Sequence, residues 1–174
     1  MVCNILVPKS LIEMNDPLIF LAGPINGAPN WHDEAIEYFQ RNVSGIYLAS
    51  PNSRLEKRFW DSVLTSENKT ESRLEWERFY LDYASRNGCI MFWLPNQLMP
   101  NCNRAYGRDT RGELGEWRGV SRFSKPRLVI GGEENFDGYD VIKRNFLVVN
   151  PGMKFYSTLE DTCNAAIVEA LSSR

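Results

Sequence analysis

Short apolar runs along this chain alternate with segments whose apolar residues follow a helical spacing. The runs at 18–22 and 89–94 are continuously apolar, and further strand-like runs lie at 45–49, 127–130 and 147–149. Continuous apolar runs of this length are typical of strands that are covered on both faces of a sheet. The pattern therefore predicts about five strands.

Helical spacing and capping residues predict five helices between and after these strands. They cover residues 30–40, 71–87, 111–123, a short segment capped by Asp137, and a last helix starting at Ser157 or Thr158, where Ser157 and Glu160 have capping-box spacing. Residues 54–70 are polar and predict a loop with a short helical piece. Strands that alternate with helices indicate an α/β fold, with a mainly parallel sheet flanked by helices.

Composition narrows the class of protein. The 174 residues suffice for one well-buried core, so we expect a single domain over residues 1–174. A net charge of −2 offers no general basic surface, which argues against a nucleic acid polymer as partner. The N-terminus does not resemble a secretory leader, and no stretch of about 18 apolar residues occurs, so we expect a cytoplasmic protein without membrane contact.

Cysteine and histidine usage argues against metal or cofactor chemistry. The four cysteines are scattered without a Cys-x-x-Cys pair, and His32 is the single histidine. A zinc site needs more clustered ligands, so no metal and no cofactor are expected. His32 stands beside Trp31 at a predicted helix start, where a capping or solvent-facing role is favoured over catalysis.

Two loops at the carboxyl ends of predicted strands carry candidate chemistry, because ligands of open α/β sheets bind there. The first follows the strand at 18–22 and contains Gly23, Pro24 and Ile25, whose backbone a ligand can approach closely. The alternative is an ordinary strand-to-helix turn. The loop has neither a dinucleotide-binding glycine pattern nor a P-loop.

The second loop leads into a helix that carries Glu113. Thr110 and Glu113 have capping-box spacing, so the plain interpretation is that Glu113 only caps the helix. Gly112 and Gly115 flank Glu113, although each weakens a helix, and they are predicted to clear space around its carboxylate. The helix N-terminus is expected to keep that carboxylate ionised. An ionised carboxylate in a cleft can attack a sugar C1.

Four motifs in one order resemble the nucleoside 2-deoxyribosyltransferase family. They are FLAGPI at 20–25 followed by Trp31, WE at 76–77, FWLP at 92–95 and RGELGEW at 111–117. The resemblance implies a flavodoxin-like fold, a homo-oligomer and a glutamate that attacks C1′ of a 2-deoxyribonucleoside. Glu113 matches that nucleophile. Asp109 is the candidate for orienting it or shuttling the proton of the base, and Glu77 matches an acidic position facing base or sugar. For Glu77 a solvated surface charge is the alternative.

Further residues are candidates for substrate binding. Trp31, Trp93 and Tyr106 are placed to sandwich a base, although core packing is the alternative for both tryptophans. Arg108, Thr110 and Arg111 at a helix start are candidates for a 5′-phosphate site, with a plain charged helix start as the alternative. Asn52, which follows the strand at 45–49, is the last candidate for substrate binding.

Three functions stay open at the level of sequence. The first is a transferase that moves 2-deoxyribose from a nucleoside to another free base through a covalent glycosyl-Glu113 intermediate. The second is an N-glycosidase that hydrolyses a (deoxy)nucleoside 5′-monophosphate. The third is a nucleotide-binding sensor without turnover. Sequence decides neither base preference nor sugar preference.

Overall fold

A computed structural model describes residues 3–8, 11–52, 54–55, 63–64, 72–100 and 104–172. Its strands are β1 (Asn4–Leu6), β2 (Leu18–Ala22), β3 (Tyr47–Ala49), β4 (Val63–Leu64), β5 (Gly88–Leu94), β6 (Leu128–Gly132) and β7 (Phe155–Tyr156). Its helices are α1 (Trp31–Asn42), α2 (Arg73–Asn87), α3 (Arg108–Val120), α4 (Tyr139–Val149) and α5 (Leu159–Leu171).

The seven strands form one sheet in the order β4-β1-β3-β2-β5-β6-β7, and every described pairing is parallel. The five strands from β3 to β7 in that order reproduce the flavodoxin-like arrangement 2-1-3-4-5, while β1 and β4 extend the sheet beyond β3. The predicted α/β fold class is therefore confirmed, with two strands more than expected. The strand order reverses between β2 and β5, where such sheets bind ligands.

Helices cover both faces of this sheet, because the central strands are apolar on both sides. Along β2, Ile19 and Leu21 pack with apolar residues of α1 and α5, whereas Leu18, Phe20 and Ala22 pack with α2, α3 and α4. Successive side chains of a strand point to opposite faces, so a strand in this position must be apolar throughout. All five residues of β2 and all seven of β5 are buried.

Several predicted elements differ from the structure. Residues 147–149 end α4 instead of forming a strand, and Val148 is 75% exposed, so an apolar run on a helix surface was mistaken for a buried strand. The α4 N-cap is Gly138, in a left-handed conformation, rather than Asp137. Thr158, not Ser157, caps α5 by accepting a hydrogen bond from the Asp161 amide. The predicted loop at 54–70 lies mostly outside the described residues, although Val63–Leu64 forms β4.

Candidate functional site

A cavity of about 410 Å³ opens at the carboxyl end of β2, where the strand order reverses. Its wall comes from the end of β2 and the loop after it (residues 22–26), Pro51 after β3, the first turns of α2, and residues between 104 and 113 around the start of α3. The volume falls within the range of about 300–1,000 Å³ that is usual for small-molecule sites. Glu113, Asp109 and Glu77, the three predicted catalytic residues, all line this cavity.

Close packing fixes the loop after β2. A Cβ at Gly23 would lie 2.3 Å from the Trp93 carbonyl oxygen and 2.8 Å from the Trp31 ring, so a larger residue cannot occupy this position. The Trp31 indole donates a hydrogen bond to the Pro24 carbonyl at 2.8 Å. Gly23, Pro24 and Ile25 line the cavity as predicted. Trp31 and Trp93 are buried and do not line the cavity, so the core-packing alternative describes both tryptophans.

The start of α3 differs from the predicted one. Gly107 is the N-cap, with φ +64°, and a Cβ there would lie 3.2 Å from the Phe136 ring and 3.4 Å from Pro24. The helix therefore begins at Arg108, three residues earlier than predicted, and the buried Thr110 falls within its first turn. The predicted capping box of Thr110 and Glu113 does not form, because Thr110 is not at the N-cap position. Arg108 and Thr110 line the cavity.

The Glu113 carboxyl group is strongly perturbed. Burial raises its pKa to about 7, the negative charges of Glu77, Asp109 and Glu116 add to this effect, and the Arg73 cation opposes it. The expectation of a fully ionised carboxylate was wrong for a structural reason. Glu113 lies in the second turn of α3, and the helix dipole acts mainly on the first turn. At neutral pH the group is about half ionised.

Asp109 is an ionised surface carboxylate at the cavity rim. Its side chain is 69% exposed and is bound by Arg104 and, at 3.4 Å, by Arg108. Partial burial alone would raise the pKa of Asp109, but the hydrogen bonds and charges of the two arginines outweigh it and hold this pKa below its usual value. Proton donation by Asp109 would require a raised pKa, so these contacts do not favour it, and the other predicted role of Asp109, orientation of Glu113, stays a prediction.

Glu77 faces the cavity from α2 and is held by an ion pair. The Arg73 Nε donates to the Glu77 Oε1 at 2.8 Å, and the Glu77 side chain is only 19% exposed. The alternative of a freely solvated surface charge does not describe this residue, because Glu77 is paired with Arg73 and lines the same cavity as Glu113. Sequence reasoning missed Arg73, although an arginine four residues before Glu77 is a readable helix pair.

The other predicted binding residues lie outside the lining of the cavity. The Tyr106 hydroxyl donates to the Pro95 carbonyl at 2.9 Å, and its ring packs on Phe136. Arg111 stacks on Phe136 and donates to the Asp137 carbonyl at 2.6 Å. Asn52 is buried and accepts from the Arg54 amide. These residues support the loops around the site and do not form its surface.

The two glycines beside Glu113 do not shape the cavity. Gly112 and Gly115 are exposed, neither lines the cavity, and a Cβ on either would meet nothing within 4 Å. The prediction that they clear space around the carboxylate was therefore wrong. Both lie on the outer face of α3, whereas Glu113 lies on its inner side.

His32 is buried rather than solvent-facing, and it does not cap α1. It stacks on Trp31, and its Nδ1 is hydrogen-bonded to the Ser50 hydroxyl at 2.9 Å. Burial, followed by the nearby Arg73 charge, lowers its pKa to about 3. His32 is therefore a neutral core residue that joins α1 to the loop after β3, beside the cavity wall at Pro51.

Two kinds of feature do not occur among the described residues. No cluster of three or more His, Cys, Asp or Glu side chains suited to a metal ion occurs among them. None of their helices has the length and apolar character needed to cross a membrane. Neither a protein-family model nor a curated protein matches this sequence.

Proposed function

We propose that this chain cleaves the N-glycosidic bond of a 2-deoxyribonucleoside, with Glu113 as nucleophile, and transfers the sugar to a second base. The observation that carries the proposal is the position of the Glu113 carboxyl group, which lines a cavity of ligand size at the point where the strand order reverses. The resemblance of the four motifs to nucleoside 2-deoxyribosyltransferases supports it independently, because those motifs include Gly23, Glu77 and Glu113.

The environment that raises the pKa of Glu113 favours this chemistry. Burial and nearby carboxylates make the Glu113 anion unfavourable. Attack on C1′ forms an ester bond and neutralises that negative charge while the C1′–N bond breaks and its electron pair goes to the base. An interaction that is relieved in the transition state lowers the barrier. The ionised half of Glu113 at neutral pH is thus a reactive nucleophile rather than an inert surface charge.

The two other carboxylates then act as acceptors. Asp109 is ionised and bound by arginines, and Glu77 uses Oε1 for Arg73, which leaves Oε2 for a sugar hydroxyl or a base N–H. We assign the proton that neutralises the departing base to solvent, because the lowered pKa of Asp109 makes it a poor donor. A second base, or water, then displaces Glu113 from C1′ and completes the reaction.

A hydrolase of nucleoside 5′-monophosphates is a second candidate, favoured by the arginines of the rim. Arg104 and Arg108 line the cavity, and the Arg108 side chain is 64% exposed and contacts Asp109 at 3.4 Å. A guanidinium is well suited to bind a phosphate. This candidate predicts release of free base and sugar phosphate without base exchange.

Product analysis distinguishes these functions. The protein is incubated with deoxyinosine plus adenine, and separately with deoxyinosine 5′-monophosphate, and the products are separated by chromatography. Deoxyadenosine in the first mixture supports the transferase, whereas hypoxanthine and deoxyribose phosphate in the second support the hydrolase. Glu113→Gln should abolish either reaction, and Glu134→Gln, an exposed change outside the lining of the cavity, should retain it. Unchanged turnover in Glu113→Gln refutes the assignment, and nucleotide binding without turnover in the wild type indicates a sensor.

A further inference from the structure

Arg73 joins two elements that form the wall of the cavity. It is the first residue of α2, whose start is fixed by Ser72, the N-cap that accepts from the Glu75 amide at 3.1 Å. The Arg73 Nη2 donates to the Pro51 carbonyl in the loop after β3 at 2.6 Å, and its Nε donates to Glu77 at 2.8 Å. The guanidinium therefore connects α2 to the loop after β3 and holds one carboxylate oxygen of Glu77.

Three carboxylates and the Arg73 cation act on the charge of Glu113. On α3, Asp109 and Glu116 act on Glu113, and from α2 the facing groups are Glu77 and Arg73. Arg104 and Arg108, the other cations lining the cavity, are bound to Asp109. His32 is buried and neutral. Among the described residues, Arg73 is thus the cation that offsets the negative charge placed beside Glu113 by its neighbours.

We infer that Arg73 is a positioning residue of this site: it fixes the Glu77 carboxylate beside Glu113 and compensates the charge that Glu77 brings there. The kinetic consequence rests on the proposed function, whereas the electrostatic consequence does not. Glu113 carries out the chemistry in that proposal, and Arg73 acts through Glu77 and through its own charge.

Two substitutions separate the geometry of Arg73 from its charge. Arg73→Gln removes the cation and leaves Glu77 unpaired, so the Glu113 pKa rises further. Arg73→Lys keeps the charge, but an ammonium lacks the planar guanidinium geometry that donates hydrogen bonds to Glu77 and to the Pro51 carbonyl at the same time. The lysine variant is therefore expected to hold the Glu113 pKa near its wild-type value while the orientation of Glu77 is lost.

The decisive measurement is a carbon-13 NMR titration of glutamate-labelled full-length protein, with the Glu113 signal assigned through Glu113→Gln. The Glu113 midpoint should rise by about one pH unit in Arg73→Gln, and it should fall in Glu77→Gln, which removes the neighbouring negative charge. Arg86→Gln is the matched control, because Arg86 forms an exposed ion pair with Asp82 on the same helix, away from the cavity. Equal Glu113 midpoints in wild type and Arg73→Gln overturn the inference.

Kinetics supply a second, separable result. The acid limb of the plot of kcat/KM against pH should move to higher pH in Arg73→Gln. In Arg73→Lys, kcat should fall but the acid limb should stay at its wild-type pH. If Glu113→Gln keeps full turnover, the proposed function fails, yet the NMR titration still decides the role of Arg73. If Arg73→Gln does not fold, the lysine variant decides, and a wild-type kcat together with an unchanged pH profile refutes positioning.

Discussion

Replacing Glu113 by glutamine is expected to stabilise the fold at alkaline pH relative to the wild type. Burial, followed by the charges of Glu77, Asp109 and Glu116, raises the Glu113 pKa from an ordinary 4.5 to about 7. The folded chain therefore binds this proton more tightly than the unfolded chain does. The resulting stability is fully present below about pH 4.5 and is lost as pH rises through 7.

The shift sets the magnitude of this effect. One pKa unit corresponds to about 1.4 kcal/mol, so the full shift corresponds to about 3 kcal/mol. Because the side chain is only partly buried, solvent screening reduces the expected effect to about 2 kcal/mol. Glutamine has a similar size and does not titrate. The unfolding free energy of Glu113→Gln minus that of wild type should therefore increase by about 2 kcal/mol between pH 5 and pH 8.

Urea denaturation at these two pH values measures this difference without any substrate. Wild type, Glu113→Gln and the control Glu134→Gln are compared at each pH, with m values checked for equality. The control should show a much smaller change with pH, since Glu134 is exposed and does not line the cavity. A difference between Glu113→Gln and wild type that is the same at pH 5 and pH 8 would show that Glu113 has an ordinary pKa, and the proposed electrostatics would then be wrong.

Because the pKa of His32 is about 3, wild-type stability should fall by up to about 1.4 kcal/mol per pH unit from this residue as pH drops from 6.5 towards 3. His32→Asn should lack this component in denaturation curves, and an identical slope in both proteins would contradict a buried neutral histidine. Gly112→Ala and Gly115→Ala should each raise the unfolding free energy by about 1 kcal/mol, because their Cβ atoms would meet nothing within 4 Å. Destabilisation in thermal melts would show that this face of α3 is covered.

The central strands were predictable because their burial on both faces requires continuous apolar runs. Residues 18–22 coincide with β2, and the run at 89–94 lies within β5. The strands β1, β4 and β7 were missed, and they have only three, two and two residues. The strand β3 is as short as β1, but it lies within a longer strand-like run at 45–49 and was therefore predicted. The error at residues 147–149 has a different cause. A short apolar run can belong either to a buried strand or to the exposed end of a helix, and its sequence does not distinguish the two.

The site was predictable only as far as sheet topology determines it. The loops after β2 and β5 meet at one edge because the strands are parallel neighbours, which brought Gly23 and Glu113 to one cavity. Side-chain direction is not determined in that way, so Tyr106 and Arg111 were placed in the site although both pack on Phe136. The three-residue error in the start of α3 arose from Gly107, whose left-handed conformation ends the preceding loop early.

The pKa of Glu113 results from opposing contacts, and their balance explains why an acid-rich cavity contains Arg73. In the proposed reaction, burial and Glu77 make the carboxylate more reactive towards an electrophilic carbon, but one further unit of pKa would reduce its ionised fraction at neutral pH from about one half to about one tenth. Arg73 limits that rise. A group that must react in its charged form is most effective when its pKa lies near the working pH, because reactivity and ionised fraction change in opposite directions. The same contacts that make Glu113 destabilising at alkaline pH therefore suit it to the proposed role of nucleophile.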